Sequence, residues 1–318
     1  MFESIGMFLL GLVLLALGGD SIVKGASGLG RHFRLSPFAI GLLLVAFGTS
    51  IPELAVNARA AWTGAQSLAL GNAVGSNLVN FGLTLGIAAC VAPLAIRWRA
   101  LGPMLLCFLL ACVLVVGLGW DGVLVRWEGF ALLVAFVAVL AFAFTRSRVE
   151  SPELRAELEA YETTRGGLAQ NLLRIGIAVV VLYFGAKFVV GAAGAMGGGL
   201  GLSPLLTGLL PVAIGTALPE IAAAVMAARR GQGDVVAGHV IGSSLFNLTV
   251  VVGGMAAFRP VPLPDSFLWL EVPAAAALGL ALYPMLKGDL RIGRGEGAIL
   301  VLAFVAWLGF ELVRLQGA

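Results

Sequence analysis

A chain of 318 residues that is 60% apolar and only 12% charged, with a mean hydropathy of +1.02, has too little polar surface for a water-soluble domain. The formal net charge of +3 is too small to point to nucleic acid, and no such partner is expected. Cys90, Cys107 and Cys112 lie in or beside apolar runs without metal-ligand spacing and read as small core hydrophobes.

Runs apolar enough to cross a hydrocarbon core of ~30 Å recur along the chain. Ten are expected, over 5–23, 36–62, 67–93, 101–119, 127–145, 167–190, 203–228, 235–258, 266–286 and 296–314. Helices are the expected state, because lipid-exposed backbone must satisfy its own hydrogen bonds and the runs are too evenly apolar for barrel strands. The first run follows Met1-Phe2-Glu3, with no basic flank and no small-residue cleavage site, so it is expected to be a span and not a signal peptide. On it Asp20 lies four residues before Lys24, the spacing of a local ion pair.

The second run carries Gly48-Thr49-Ser50-Ile51-Pro52-Glu53, an acid and a proline in the middle of an apolar stretch. Intramembrane carboxylates are costly and mark ion pathways. Pro52 removes the amide that would bond the Gly48 carbonyl, so the helix is expected to loosen and to free backbone oxygens there. Thr49 and Glu53 share a helical spacing of four. The third run carries Gly71-Asn72-Ala73-Val74-Gly75-Ser76-Asn77-Leu78-Val79-Asn80, in which Ser76 and Asn80 repeat that spacing and the glycines permit close helix approach. After the fifth run comes the most polar stretch, 145–165, with five glutamates among arginines, read as a solvated linker.

The second half then repeats the first. Segments 35–86 and 202–253 agree without a gap at 22 of 52 positions, an offset of 167. The repeat supplies Gly215-Thr216-Ala217-Leu218-Pro219-Glu220, and Gly238-His239-Val240-Ile241-Gly242-Ser243-Ser244-Leu245-Phe246-Asn247. The expected fold is therefore an all-α membrane protein of ten transmembrane helices in two inverted five-helix repeats, with ion sites at the midplane between discontinuous helices. Residues 1–145 form the first repeat, 146–165 the linker and 166–318 the second repeat. An odd number of crossings per repeat obliges the second copy to enter upside down. Fifteen of the twenty Lys and Arg fall in loops of one side, which puts the linker in the cytoplasm and both termini outside. Glu3, Glu128, Glu271, Glu296 and Glu311 near span ends are expected at the interface, as is a belt of tryptophans.

Two carboxylates with hydroxyl, amide and carbonyl oxygens, and no thiolate or imidazole cluster, form a hard donor set suited to Ca2+ or Na+. One Ca2+ or two Na+ balance two carboxylates, so the two loads compete for one set of oxygens, the condition for exchange. Nothing suggests an enzyme: there is no Ser/His or Ser/Lys pair and no metal motif for hydrolysis.

At these residues the chain resembles the calcium/cation antiporter superfamily, in its prokaryotic sodium/calcium exchanger branch. The resemblance implies Ca2+ and Na+ as substrates, no resident cofactor, a monomer sufficient for transport, and a usual exchange of three Na+ for one Ca2+. It implies Glu53 and Glu220 as central ligands, joined by Thr49, Thr216, Ser50, Ser76, Ser243, Asn80 and Asn247, with the carbonyls of Ala46 and Ala213 completing outer sodium sites. Ala217, His239 and Ser244 depart from the pattern. A Ca2+/H+ exchanger of the same fold is the alternative.

Overall fold

The computed structural model describes residues 2–32, 50–96, 98–146 and 167–316. The first part of the second expected span, with Ala46, Gly48 and Thr49, and nearly all of the linker lie outside the described residues. Helix α1 spans Phe2–His32, α2 Ile51–Trp62, α3 Gln66–Val91, α4 Trp98–Leu118, α5 Arg126–Arg146 and α6 Leu168–Gly199. Then come α7 (Pro204–Thr216), α8 (Leu218–Arg229) and α9 (Gly233–Phe258). Helix α10 opens as a π turn, Phe267–Glu271, and runs on through Val272–Asp289, and α11 covers Arg294–Gln316. Among the described residues seven helices are long and apolar enough to cross a membrane, and α7 and α8, bent by 44° at their break, are together long and apolar enough for an eighth span or a re-entrant loop. The chain is a multi-pass membrane protein.

Helices α3 and α9 form the buried centre. The surrounding helices turn large apolar side chains outward, such as Leu110, Val113, Val134 and Leu302, as a lipid-facing surface requires. Trp62, Trp120, Trp127 and Trp269 are exposed near helix ends, where an aromatic belt belongs. Asp20 and Lys24 form the expected local pair at 2.6 Å. Glu128 and Glu296 cap helix starts, accepting from the Val125 and Gly293 amides at 2.8 and 2.7 Å. Glu128, Glu271 and Glu311 are buried, at 6%, 1% and 2% exposed, and Glu271 and Glu311 each keep a buried oxygen without a hydrogen-bond partner. Position near a span end gives depth, not the face toward which a side chain turns.

Several described elements recur at the repeat offset. Ile51–Trp62 corresponds to Leu218–Arg229, and the π turn Asn80–Thr84 inside α3 to the π turn Asn247–Val251 inside α9, both at the 167-residue offset. Four two-residue strands, β1 (Leu94–Ala95), β2 (Val123–Leu124), β3 (Val261–Pro262) and β4 (Arg291–Ile292), tie the halves together. Strand β1 pairs with β4 through Leu94↔Ile292, and β2 with β3 through Leu124↔Val261, which is the same pairing with the halves exchanged. The neighbouring bonds obey the same exchange: the Ile96 amide donates to Leu290 O, and the Leu263 amide to Gly122 O, both at 2.8 Å. Gly122 and Leu290 each sit at positive φ, 87° and 59°, a conformation that costs glycine little and leucine more.

Candidate functional site

The site is built where α7 breaks and α8 begins. Pro211 cannot donate to the turn before it, and α7 widens there into a π turn over Gly208–Val212. The helix stops at Thr216 and restarts at Leu218, with Pro219 in the first turn where its missing amide costs nothing. Helix α2 begins after Ser50, also with a proline, Pro52, in its first turn. Glu53 and Glu220 thus occupy the first turns of their helices, where the positive end of the helix dipole favours a carboxylate.

The two carboxyl groups, one from each half, lie within hydrogen-bonding reach of each other, and Glu53 also reaches the Thr216 hydroxyl. Glu53 is 2% exposed and Glu220 5%. The helix breaks between Thr216 and Glu220, and Thr216 serves Glu53 of the opposite half. Its Oγ1 also reaches the carbonyls of Val212 and Ala213 at 3.1 and 3.3 Å.

Helices α3 and α9 bring the remaining oxygens. Asn80 Nδ2 donates to Ser244 Oγ at 3.4 Å, and Asn247 Nδ2 to Asn77 Oδ1 at 3.2 Å, again one bond in two copies. Ser50 Oγ and Ser243 Oγ are 2.8 Å apart. Each π turn starts at the key asparagine, whose carbonyl accepts an amide five residues on, so the register of the helix shifts at this depth. Glu53 Oε2, Glu220 Oε2, Ser76 Oγ and Asn247 Oδ1 are all buried without a hydrogen-bond partner. An unmet buried polar group costs about 1–3 kcal/mol. Buried oxygens left unmet in this way are donors of the kind that suits a hard cation. The structure brings Glu53 to Glu220 and Thr216, Thr216 to the Ala213 carbonyl, Ser50 to Ser243, Asn80 to Ser244 beside Ser243, and Asn247 to Asn77 beside Ser76, while Ala46 and Thr49 lie outside the described residues.

Sequence reasoning missed Asn77, now seen on Asn247, and a second amide pair, Asn72 Nδ2 donating to Asn57 Oδ1 at 3.0 Å. Asn57 stands four residues after Glu53 on α2, so its spacing was available as a signal. Ser244, marked as a departure, is a working partner of Asn80.

Cover over the two halves is unequal. Pro52 is buried against Gly19 of α1, and α6 packs along α2. The equivalent face of α8, with Pro219 and Ala222, is exposed, and an apolar cavity of about 360 Å³ beside it reaches Thr216.

The sodium/calcium exchanger protein family matches residues 3–145 and 171–313. The inner membrane protein YrbG of Escherichia coli is 33% identical over 316 residues, covering 97% of this chain and 96% of its own. The sodium/calcium exchanger MaX1 of Methanosarcina acetivorans is 30% identical over 337 residues, covering 95% and 96%. Among solved structures, the sodium-calcium exchanger NCX_Mj soaked with Na+ and Sr2+ superposes with a TM-score of 0.66 at 29% identity, covering 97% of this chain and 98% of that one.

Proposed function

The chain belongs to the sodium/calcium exchanger family, and from that premise we propose that it exchanges Ca2+ for Na+ by alternating access at the Glu53/Glu220 site. The observation that carries the reading is the meeting of two buried carboxylates from opposite halves, with unmet oxygens around them. A dehydrated divalent ion there is balanced by the pair, and so are two sodium ions, so binding one load expels the other. Thr216, Ser50, Ser76, Ser243, Asn80 and Asn247, with the Ala213 carbonyl, complete the donor set, joined by Thr49 and the Ala46 carbonyl. The fold is read as ten spans in two inverted repeats. The strand pairs support this, since the loops they join are separated by even numbers of expected spans. The linker is placed in the cytoplasm and both termini outside.

In proteoliposomes, Ca2+ uptake driven by an outward sodium gradient is expected, with none driven by a pH gradient at clamped potential. Uptake under the pH gradient alone would instead make it a Ca2+/H+ exchanger.

Alternating access requires two states that exchange which half is covered. In this structure α8 is the uncovered side, and Ala222 is the counterpart of Ala55 on α2. With the native cysteines replaced, Ala222→Cys is expected to react with a water-soluble maleimide at least severalfold faster than Ala55→Cys without ions, and saturating Ca2+ should narrow the difference. Equal rates in both conditions would contradict an aqueous path along α8.

A further inference from the structure

We propose that Ala217 makes the exchange electroneutral, two Na+ for one Ca2+, by removing the oxygen that would complete a further monovalent-ion position beside Ser76. The proposal rests on the antiport reading above and adds the number of ions carried. Exchange of the halves maps polar contacts of the site onto twins, and two side-chain pairs lack one: Asn57 with Asn72, which maps onto Ala224 with His239, and a hydroxyl pair at the carboxyl groups' own level. Asn80 with Ser244 maps onto Asn247 with Asn77, and both bonds are present. Ser50 with Ser243, hydroxyl to hydroxyl at 2.8 Å, maps onto Ala217 with Ser76. In that twin pair the sequence supplies one hydroxyl where the other has two. Ala217 is buried, and Ser76 Oγ is buried with no hydrogen-bond partner. The helices are in contact at this level, because a side chain added at Gly75 would lie 2.6 Å from the Leu209 carbonyl and 2.8 Å from Ala213 Cβ.

The backbone oxygen one turn before Ala217 is already partly engaged. The Ala213 carbonyl already accepts from the Ala217 amide at 3.1 Å and from Thr216 Oγ1 at 3.3 Å. On the Ser50 side, two hydroxyls can swing their lone pairs to one ion; on the Ser76 side, only one can. Charge acts in the same direction. Asn80 and Asn247 are neutral, so Glu53 and Glu220 supply the site's negative charge, and two Na+ balance them. A third Na+ would leave a buried excess of positive charge, held only by dipoles, one of which Ala217 has deleted.

The test is equilibrium 45Ca2+ accumulation by the purified full chain in proteoliposomes, under a fixed tenfold sodium gradient, at zero potential and at 100 mV set by valinomycin and potassium. Two-for-one exchange accumulates Ca2+ about 100-fold, whereas three-for-one reaches about 1,000-fold at zero potential. One net charge moved per cycle would make 100 mV shift the ratio by about 50-fold. The expected wild-type result is about 100-fold at both potentials, with a sodium Hill coefficient below about 2, the limit set by two ions. Ala217→Ser is expected to raise the Hill coefficient and to introduce the voltage shift. A voltage-driven wild type overturns the proposal while leaving the antiport reading intact, as does an Ala217→Ser protein that transports with unchanged sodium and voltage dependence. Absence of any sodium-driven uptake overturns the antiport reading and the proposal with it. If Ala217→Ser is not monodisperse, the wild-type measurement at two potentials decides alone.

Discussion

Replacing either Glu53 or Glu220 with glutamine is expected to reduce sodium-driven Ca2+ uptake by more than about 100-fold. A unit charge pair 4 Å apart is worth about 4 kcal/mol at an effective dielectric of about 20, and a divalent ion doubles the charge on one side. Each 1.4 kcal/mol is tenfold in affinity, so removing one of two carboxylates from a buried Ca2+ takes binding out of the working range. Glutamine keeps the shape and one acceptor oxygen, which isolates charge as the cause. Stability should move the other way. Without ions, two buried carboxyl groups face each other and must hold a proton between them to stay close, a constraint that glutamine removes by supplying its own N–H donor. Thermal unfolding of Glu220→Gln in chelator is therefore expected at or above the wild-type midpoint, while the rise in midpoint that Ca2+ gives the wild type is lost. Wild-type-like Ca2+ stabilisation in both single variants would remove the carboxylate pair from the site.

The long spans were legible because an apolar run of spanning length has few alternatives to a helix, and the described helices keep the expected boundaries within a few residues for α3, α5 and α9. Helices α1 and α6 run well beyond them, to His32 and Gly199, because a helix can continue past the end of its apolar stretch into glycine-rich sequence. Glu53 and Glu220 were legible because the same costly residue recurs at one offset, which hydrophobicity alone does not produce. The π turns at Asn80 and Asn247 were not, since no residue type encodes an extra residue per turn where no proline intervenes. The four strands were equally hidden. Each has two residues, and what holds it is a partner from the other half of the chain, a contact that local pattern does not carry. The same limit hid the contact of Thr216 with Glu53: it joins opposite halves across a helix break at Ala217, which spacing within one helix does not carry.

Close approach of α3 and α7 sets the width of the oxygen cluster, and it depends on two glycines that face each other's backbone. A methyl group at Gly71 would strike the Leu205 carbonyl, and one at Gly208 the Leu68 carbonyl, so neither helix can accept alanine without retreating. The obstacle is backbone, not the end of a flexible side chain, and overpacking of this kind costs about 1–3 kcal/mol. Ser76 and Thr216 lie one to two turns further along these same helices, so a retreat pulls their oxygens away from Glu53 and Glu220. Gly71→Ala and Gly208→Ala are therefore each expected to lower Ca2+ uptake by about 10- to 100-fold, with unchanged helical content by circular dichroism and a lower thermal midpoint. Gly117 on α4 is the control, because nothing lies within 4 Å of the position its side chain would take. Gly117→Ala should transport as the wild type does and gain up to about 1 kcal/mol from helix propensity. Wild-type uptake in Gly71→Ala would mean that contact between these helices does not set the ligand geometry, and the oxygens would have to be positioned by α2 and α9 instead.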